Sequence, residues 1–210
     1  MSSEQKIPLF LDLEKRTSFL IICLVALLLL FVKKSFIEDE TAAFEFLAGT
    51  PEGSALTLRS TLQYISIPLV YAWKFMILTF VVWVGCFSFG YRVTYSQCWK
   101  IVTTAEFAIF IPEVLKILWF MTIETDPVFY RINAFYPLSA MGFFDYTQVP
   151  DRFHYPLKSL NLFEILYGYM LISGIMYFTR KGFKEALTVV LMTYLPIFLL
   201  WLSFYMIVYK

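Results

Sequence analysis

Five stretches of the chain are apolar for long enough to be read as membrane-crossing helices. They lie at residues 17–37, 62–90, 101–123, 160–179 and 186–208, separated by polar or turn-forming segments. A helix needs about 20 predominantly apolar residues to cross a hydrocarbon core roughly 30 Å thick. The pattern therefore predicts an all-α fold, a polytopic bundle of five transmembrane helices forming one membrane domain over residues 1–210. The first run, TSFLIICLVALLLLFV, covers only about 24 Å with its own residues, so it is read as continuing to Ile37. Lys15 and Arg16 before it imitate a signal peptide, but KKSFIEDE after it offers no small-x-small cleavage site, which keeps it a helix.

The connections differ in character. Residues 38–60 are acidic, broken by Gly49, Pro51 and Gly53, with room for a short surface helix. The segments YRVTYSQCWK (91–100) and RKGFKE (180–185) are short and basic, as antiparallel neighbours require. Residues 124–159 hold four prolines and nine Phe or Tyr residues, too aromatic for a soluble loop. They are predicted to lie at the membrane interface or to fold back on the bundle. Short basic loops face the cytoplasm under the positive-inside rule. That puts the N-terminus inside and loop 124–159 outside.

Composition agrees with the pattern. Sixty per cent of the residues are hydrophobic and 16% charged, against about 45–50% and about 25% in soluble domains. A net charge of +1 excludes a nucleic-acid partner, which would want a basic patch. The three cysteines, Cys23, Cys86 and Cys98, form no CxxC, and the single histidine, His154, rules out a zinc site built on several histidines. No metal, cofactor or catalytic residue is expected. His154 reads as a polar residue at the interface.

Candidate chemistry concentrates in the third run, IVTTAEFAIFIPEVLKILWFMTI. At 100° per residue Glu113 falls about 20° from Glu106 around the helix and Lys116 about 80° from it, so the three share a face. Charges at the centre of a bilayer cost roughly 2.5–3.5 kcal/mol on insertion scales, so that face looks at protein or water. If runs two and three form a hairpin centred near residue 95, Lys74 reaches the depth of Glu113 and Lys116. The candidate network is Lys74, Glu106, Glu113 and Lys116. It reads either as mutual neutralisation that glues helices together or as an ion or substrate path, and Glu106 and Glu164 are placed nearer the interface. Pro68, Pro112 and Pro196 are candidate kinks. Gly168 and Gly174 are spaced by six, outside the small-xxx-small pattern.

The last two runs, LNLFEILYGYMLISGIMYFTRKGFKEALTVVLMTYLPIFLLW, open on Leu-Asn-Leu-Phe, pass a basic turn and re-enter through Ala-Leu-x-Val-Val. They resemble the C-terminal part of the Yip-domain family, five-span integral membrane proteins named for Ypt/Rab interaction. FSFGYRVTYSQCWKIVTTAEFAIFIPEVL is similar to that family's glycine-then-basic turn and following helix. The resemblance is to the compact bacterial members, because the long cytosolic N-terminal region is missing. It implies a five-helix bundle without enzymatic activity. The expected function is then an accessory subunit or scaffold of a membrane complex, with a transport or trafficking role. Its expected partners are the lipid bilayer, other integral membrane proteins and further copies of itself. The alternative is a small carrier or channel using the Glu/Lys network. Carriers often carry internal repeats, and the unequal spans show none, which favours the scaffold.

Overall fold

The computed structural model describes residues 14–38, 51–123 and 129–209. The fold is all-helical. Helix α1 (Lys15–Lys33) runs into a π-turn at Lys34–Glu38, and α2 (Pro51–Ser88) is one helix of 38 residues. Then come α3 (Tyr95–Ala105), α4 (Phe107–Thr122), the short α5 (Phe129–Ala134), a 3-10 turn at Ala140–Phe143 and α6 (Asp151–Ser159). Two long helices, α7 (Leu162–Thr179) and α8 (Phe183–Val208), close the chain.

Among the described residues four helices are long and apolar enough to cross a membrane: Lys15–Phe36, Thr61–Ser88, Leu162–Thr179 and Phe183–Val208. The apolar residues they expose form stripes, such as Leu62, Ile65, Leu69, Trp73, Met76 and Phe80 along α2. Stripes of that extent are untenable against water and natural against lipid tails. The expected third span, 101–123, is a different object. It is split at Glu106, where the Ile109 amide bonds Glu106 O at 2.9 Å, three residues back instead of four. Pro112 removes a further amide inside α4. The pieces, of 11 and 16 residues, reach only about 17 and 24 Å each. The described residues therefore provide four spanning helices where five were expected.

The hairpin between α2 and α3 also departs from expectation. Gly90 takes φ +75°, a conformation open to glycine, and the Tyr91 amide returns to Cys86 O at 2.8 Å. Thr94 then caps α3: its hydroxyl accepts from the Gln97 amide, and the Gln97 side chain accepts from the Thr94 amide. Residues 95–100 of the expected basic loop are consequently helical. The connection is residues 89–94, centred near residue 92 and not 95.

Packing follows from that register. Phe75 is fully buried, edge-on to Trp99 at 5.9 Å and to Phe19 at 6.3 Å, which joins α1, α2 and α3. Gly174 lets α7 lie directly on α3, for a Cβ there would sit 2.7 Å from Ile101 Cγ2. Gly168 meets nothing within 4 Å. Lys181 lies over the Tyr91 ring at 5.9 Å, so the α2–α3 and α7–α8 turns share one end of the bundle.

The aromatic loop folds back as predicted. Trp119 stacks on Phe135 at 5.2 Å, and α6 rests on the far end of α8 through Tyr155 and Tyr205, 4.6 Å apart. Trp201 Nε1 donates to the Tyr155 hydroxyl at 3.1 Å. His154 is structural: its Nε2 faces the carbonyls of Tyr146 and Val149, two acceptors that fix the protonated nitrogen. Much of the acidic connection (39–50), the polar N-terminus (1–13) and residues 124–128 lie outside the described residues.

Candidate functional site

The earlier turn moves Lys74 toward the α3 end of the third run. Within about one helical turn of the same depth as Glu106, Lys74 reaches it: Lys74 Nζ bonds Glu106 Oε1 at 2.6 Å. Glu106, expected near the interface, is fully buried; Lys74 keeps about a third of its surface, at 37% exposure. Lys74 is 14 residues from Ser88 and Glu106 is 11 from Tyr95, so both lie about 17–21 Å from the turn. That is the middle of α2.

Glu106 uses one oxygen. Its Oε2 is buried without a partner, and so is the Tyr167 hydroxyl on α7. Tyr167 faces Tyr194 of α8, ring to ring at 5.3 Å. The Tyr194 hydroxyl donates to Glu164 Oε1. Glu164 is fixed by the start of α7: Asn161 Oδ1 accepts from the Glu164 amide at 2.9 Å, while Asn161 Nδ2 donates to the carbonyls of Lys158 and Ser159. Tyr194 is 11 residues from Phe183 and Tyr167 is 12 from Thr179, about 17–18 Å from the same end. Lys74, Glu106, Tyr167, Tyr194 and Glu164 thus make one polar layer across α2, α3, α7 and α8. Glu164, in the first turn of α7, joins that layer through Tyr194.

The other predicted members separate. Glu113 is half-buried and lines a cavity of about 380 Å³ between α1, α2 and α4, together with Lys33, Gln63, Ser66 and Tyr71. Lys116 is buried on α4, and the Lys74 ammonium goes to Glu106 instead of joining it. Tyr71 lies between the cavity and the layer, with Lys74 Nζ 5.9 Å from its ring. Pro68, Pro112 and Pro196, the candidate kinks, all sit inside helices.

Sequence reasoning missed Tyr167 and Tyr194. A signal existed for the first: Glu164 and Tyr167 are three residues apart on one helix face. Tyr194 had none, because its role depends on how α8 packs on α7. Among the described residues no group of three His, Cys, Asp or Glu side chains could hold a metal.

Between α7 and α8 runs a groove of about 760 Å³, lined from Phe183 beside the turn to Phe198 beyond the layer. The loop before α6 roofs it: Ala140 N bonds Leu160 O at 2.8 Å and Leu162 N bonds Leu138 O at 3.2 Å. Glu164 and Tyr194 line the groove, and all but a few of the other lining side chains are apolar. The carboxylate–phenol pair therefore belongs to the layer on one side and to the groove on the other.

Compared with protein-family models, curated proteins and solved structures, the chain matches none.

Proposed function

We propose that this protein is a small membrane carrier whose polar layer takes up and passes a proton or a small cation. The observation that carries the reading is Glu106: fully buried, with Oε1 on Lys74 and Oε2 without a partner, in a layer where the Tyr167 hydroxyl is buried and unpartnered too. A polar group left unpaired in an apolar interior costs several kcal/mol, and an unpaired charge far more. The layer holds two carboxylates, Glu106 and Glu164, against one ammonium, Lys74. Binding a proton or cation removes that surplus. Helix glue would have been complete with one carboxylate for each ammonium. The Tyr167 and Tyr194 hydroxyls, each both donor and acceptor, supply the steps between the two carboxylates.

The test is potential-driven proton or cation uptake into vesicles reconstituted with the whole chain. Wild-type protein gives uptake above empty vesicles, and Glu106→Gln returns it to the empty-vesicle level. Wild-type uptake in both Glu106→Gln and Lys74→Met refutes the reading.

The accessory-subunit reading is the second proposal, and the aromatic loop favours it. Phe143 is 90% exposed, beside exposed Leu138 and Phe144, an apolar knob suited to another membrane protein. It accords with the Yip-domain resemblance. Recovery of a stoichiometric membrane partner from native-lipid extracts, lost in Phe143→Ser, supports it; a lone protein sinks it.

A further inference from the structure

We propose that the groove between α7 and α8 is a binding site for a monovalent lipophilic cation. The inference goes beyond the carrier reading by adding a second, larger ligand to the proton or small cation of the layer; it rests on that reading for transport but not for binding.

Size comes first. The groove follows α7 from Asn161 to Ile172 and α8 from Phe183 to Phe198, about 17 and 23 Å of helix. Its volume of about 760 Å³ lies in the range of small-molecule sites, about 300–1,000 Å³. Such sites join apolar walls to a few placed polar groups, and this one does the same.

Charge sets the class of ligand. Glu164 is the one charged side chain lining the groove among the described residues, and no Lys, Arg or His lines it. An anion would meet a carboxylate and no counter-charge. The first turn of α7 is equivalent to roughly +0.5 charge, half the magnitude of the carboxylate, so this end of the groove remains negative. Glu164 Oε1 accepts from Tyr194, which aims the carboxylate and leaves its other oxygen for a ligand. Phe143, Tyr169, Phe183, Tyr194 and Phe198 add aromatic rings to the walls, and ring faces attract cations. A neutral lipid tail would use the walls and leave the carboxylate unanswered.

Gly168 keeps the groove open. It lines the wall, and a Cβ there would meet nothing within 4 Å. A larger side chain at this position fills the groove without pressing on the bundle.

Equilibrium binding of tetraphenylphosphonium to the whole chain in zwitterionic nanodiscs tests the proposal. Tetraphenylborate, of similar shape and opposite charge, is titrated separately, and empty nanodiscs serve as the blank. The expected result is saturable one-site binding of the phosphonium and none of the borate. Glu164→Gln weakens the phosphonium at least about tenfold, and Gly168→Phe abolishes its binding. No saturable binding above the blank overturns the proposal, as does equal binding of the borate. Wild-type affinity in either variant overturns it too. Should Glu164→Gln fail to fold, Gly168→Phe with the charge-reversed probe decides alone. Because no flux is measured, this result is separate from the Glu106 uptake test: binding without uptake keeps the site and removes the carrier.

Discussion

The Lys74–Glu106 pair makes an asymmetric prediction. Lys74→Met leaves a fully buried carboxylate without its cation, whereas Glu106→Gln leaves an ammonium that is 37% exposed on a flexible stem free to turn to other acceptors. Removing one partner of a buried pair costs about 3–5 kcal/mol when the remaining charge stays buried. The half-exposed partner requires a discount toward the surface-pair range of about 0–1 kcal/mol. A glutamine side chain in place of Glu106 would also keep a carbonyl to accept from Lys74, so Glu106→Gln should cost about 1–2 kcal/mol. Lys74→Met should cost about 3 kcal/mol, and Lys74→Met with Glu106→Gln less than the two single changes summed. Unfolding titrations in mixed micelles, with helical signal as readout, give all three values. Equal costs for the two single variants, or a strictly additive double variant, would show that the burial asymmetry does not govern the pair.

Other consequences can be checked with the same titrations. Gly174→Ala should destabilise by about 1–3 kcal/mol through overpacking against Ile101, and Ile101→Ala, which removes both Cγ atoms the new methyl would meet, should cost less in the Gly174→Ala chain than in wild type. Thr94→Ala should cost about 0.5–2 kcal/mol by removing the cap that starts α3, and Gln97→Ala somewhat less. Lys158, on α6, has its ammonium held below the ordinary lysine value by burial and then by the nearby Lys33 charge. The folded chain therefore loses that proton before the unfolded chain does, so stability should rise with pH from the folded value up to about 10.5. Thermal unfolding across that window should show the rise in wild type and not in Lys158→Met.

What could be read from the sequence divides along physical lines. Burial in lipid leaves long apolar runs, and four of the five expected spans correspond to such helices. Depth along a hairpin is harder, because it depends on where the turn lies. The basic residues of 91–100 suggested a loop, yet Gly90 and the Thr94-x-x-Gln97 spacing were the better signals for a turn ending at residue 94. Reading them would have moved the depth of Lys74 away from Lys116 and toward Glu106. The split at Glu106 left no comparable mark: the break falls six residues before Pro112, in a stretch of ordinary helix formers. Tyr194 and the groove arise from the packing of α8 on α7, and no single-chain periodicity reports that.

Arg180 connects α7 to α8 in the left-handed conformation, φ 55°, although it is not glycine. Gly174 locks α7 to α3 just before it, and α6 clasps the far end of α8 through Tyr155, Trp201 and Tyr205. The two walls of the groove are thus held at both ends, by α3 behind α7 and by α6 against α8, and between those ends the Tyr194 hydroxyl ties α8 to Glu164 of α7. The groove is a clamped slot, its width fixed by side chains that cross it as well as by the short Arg180–Gly182 turn.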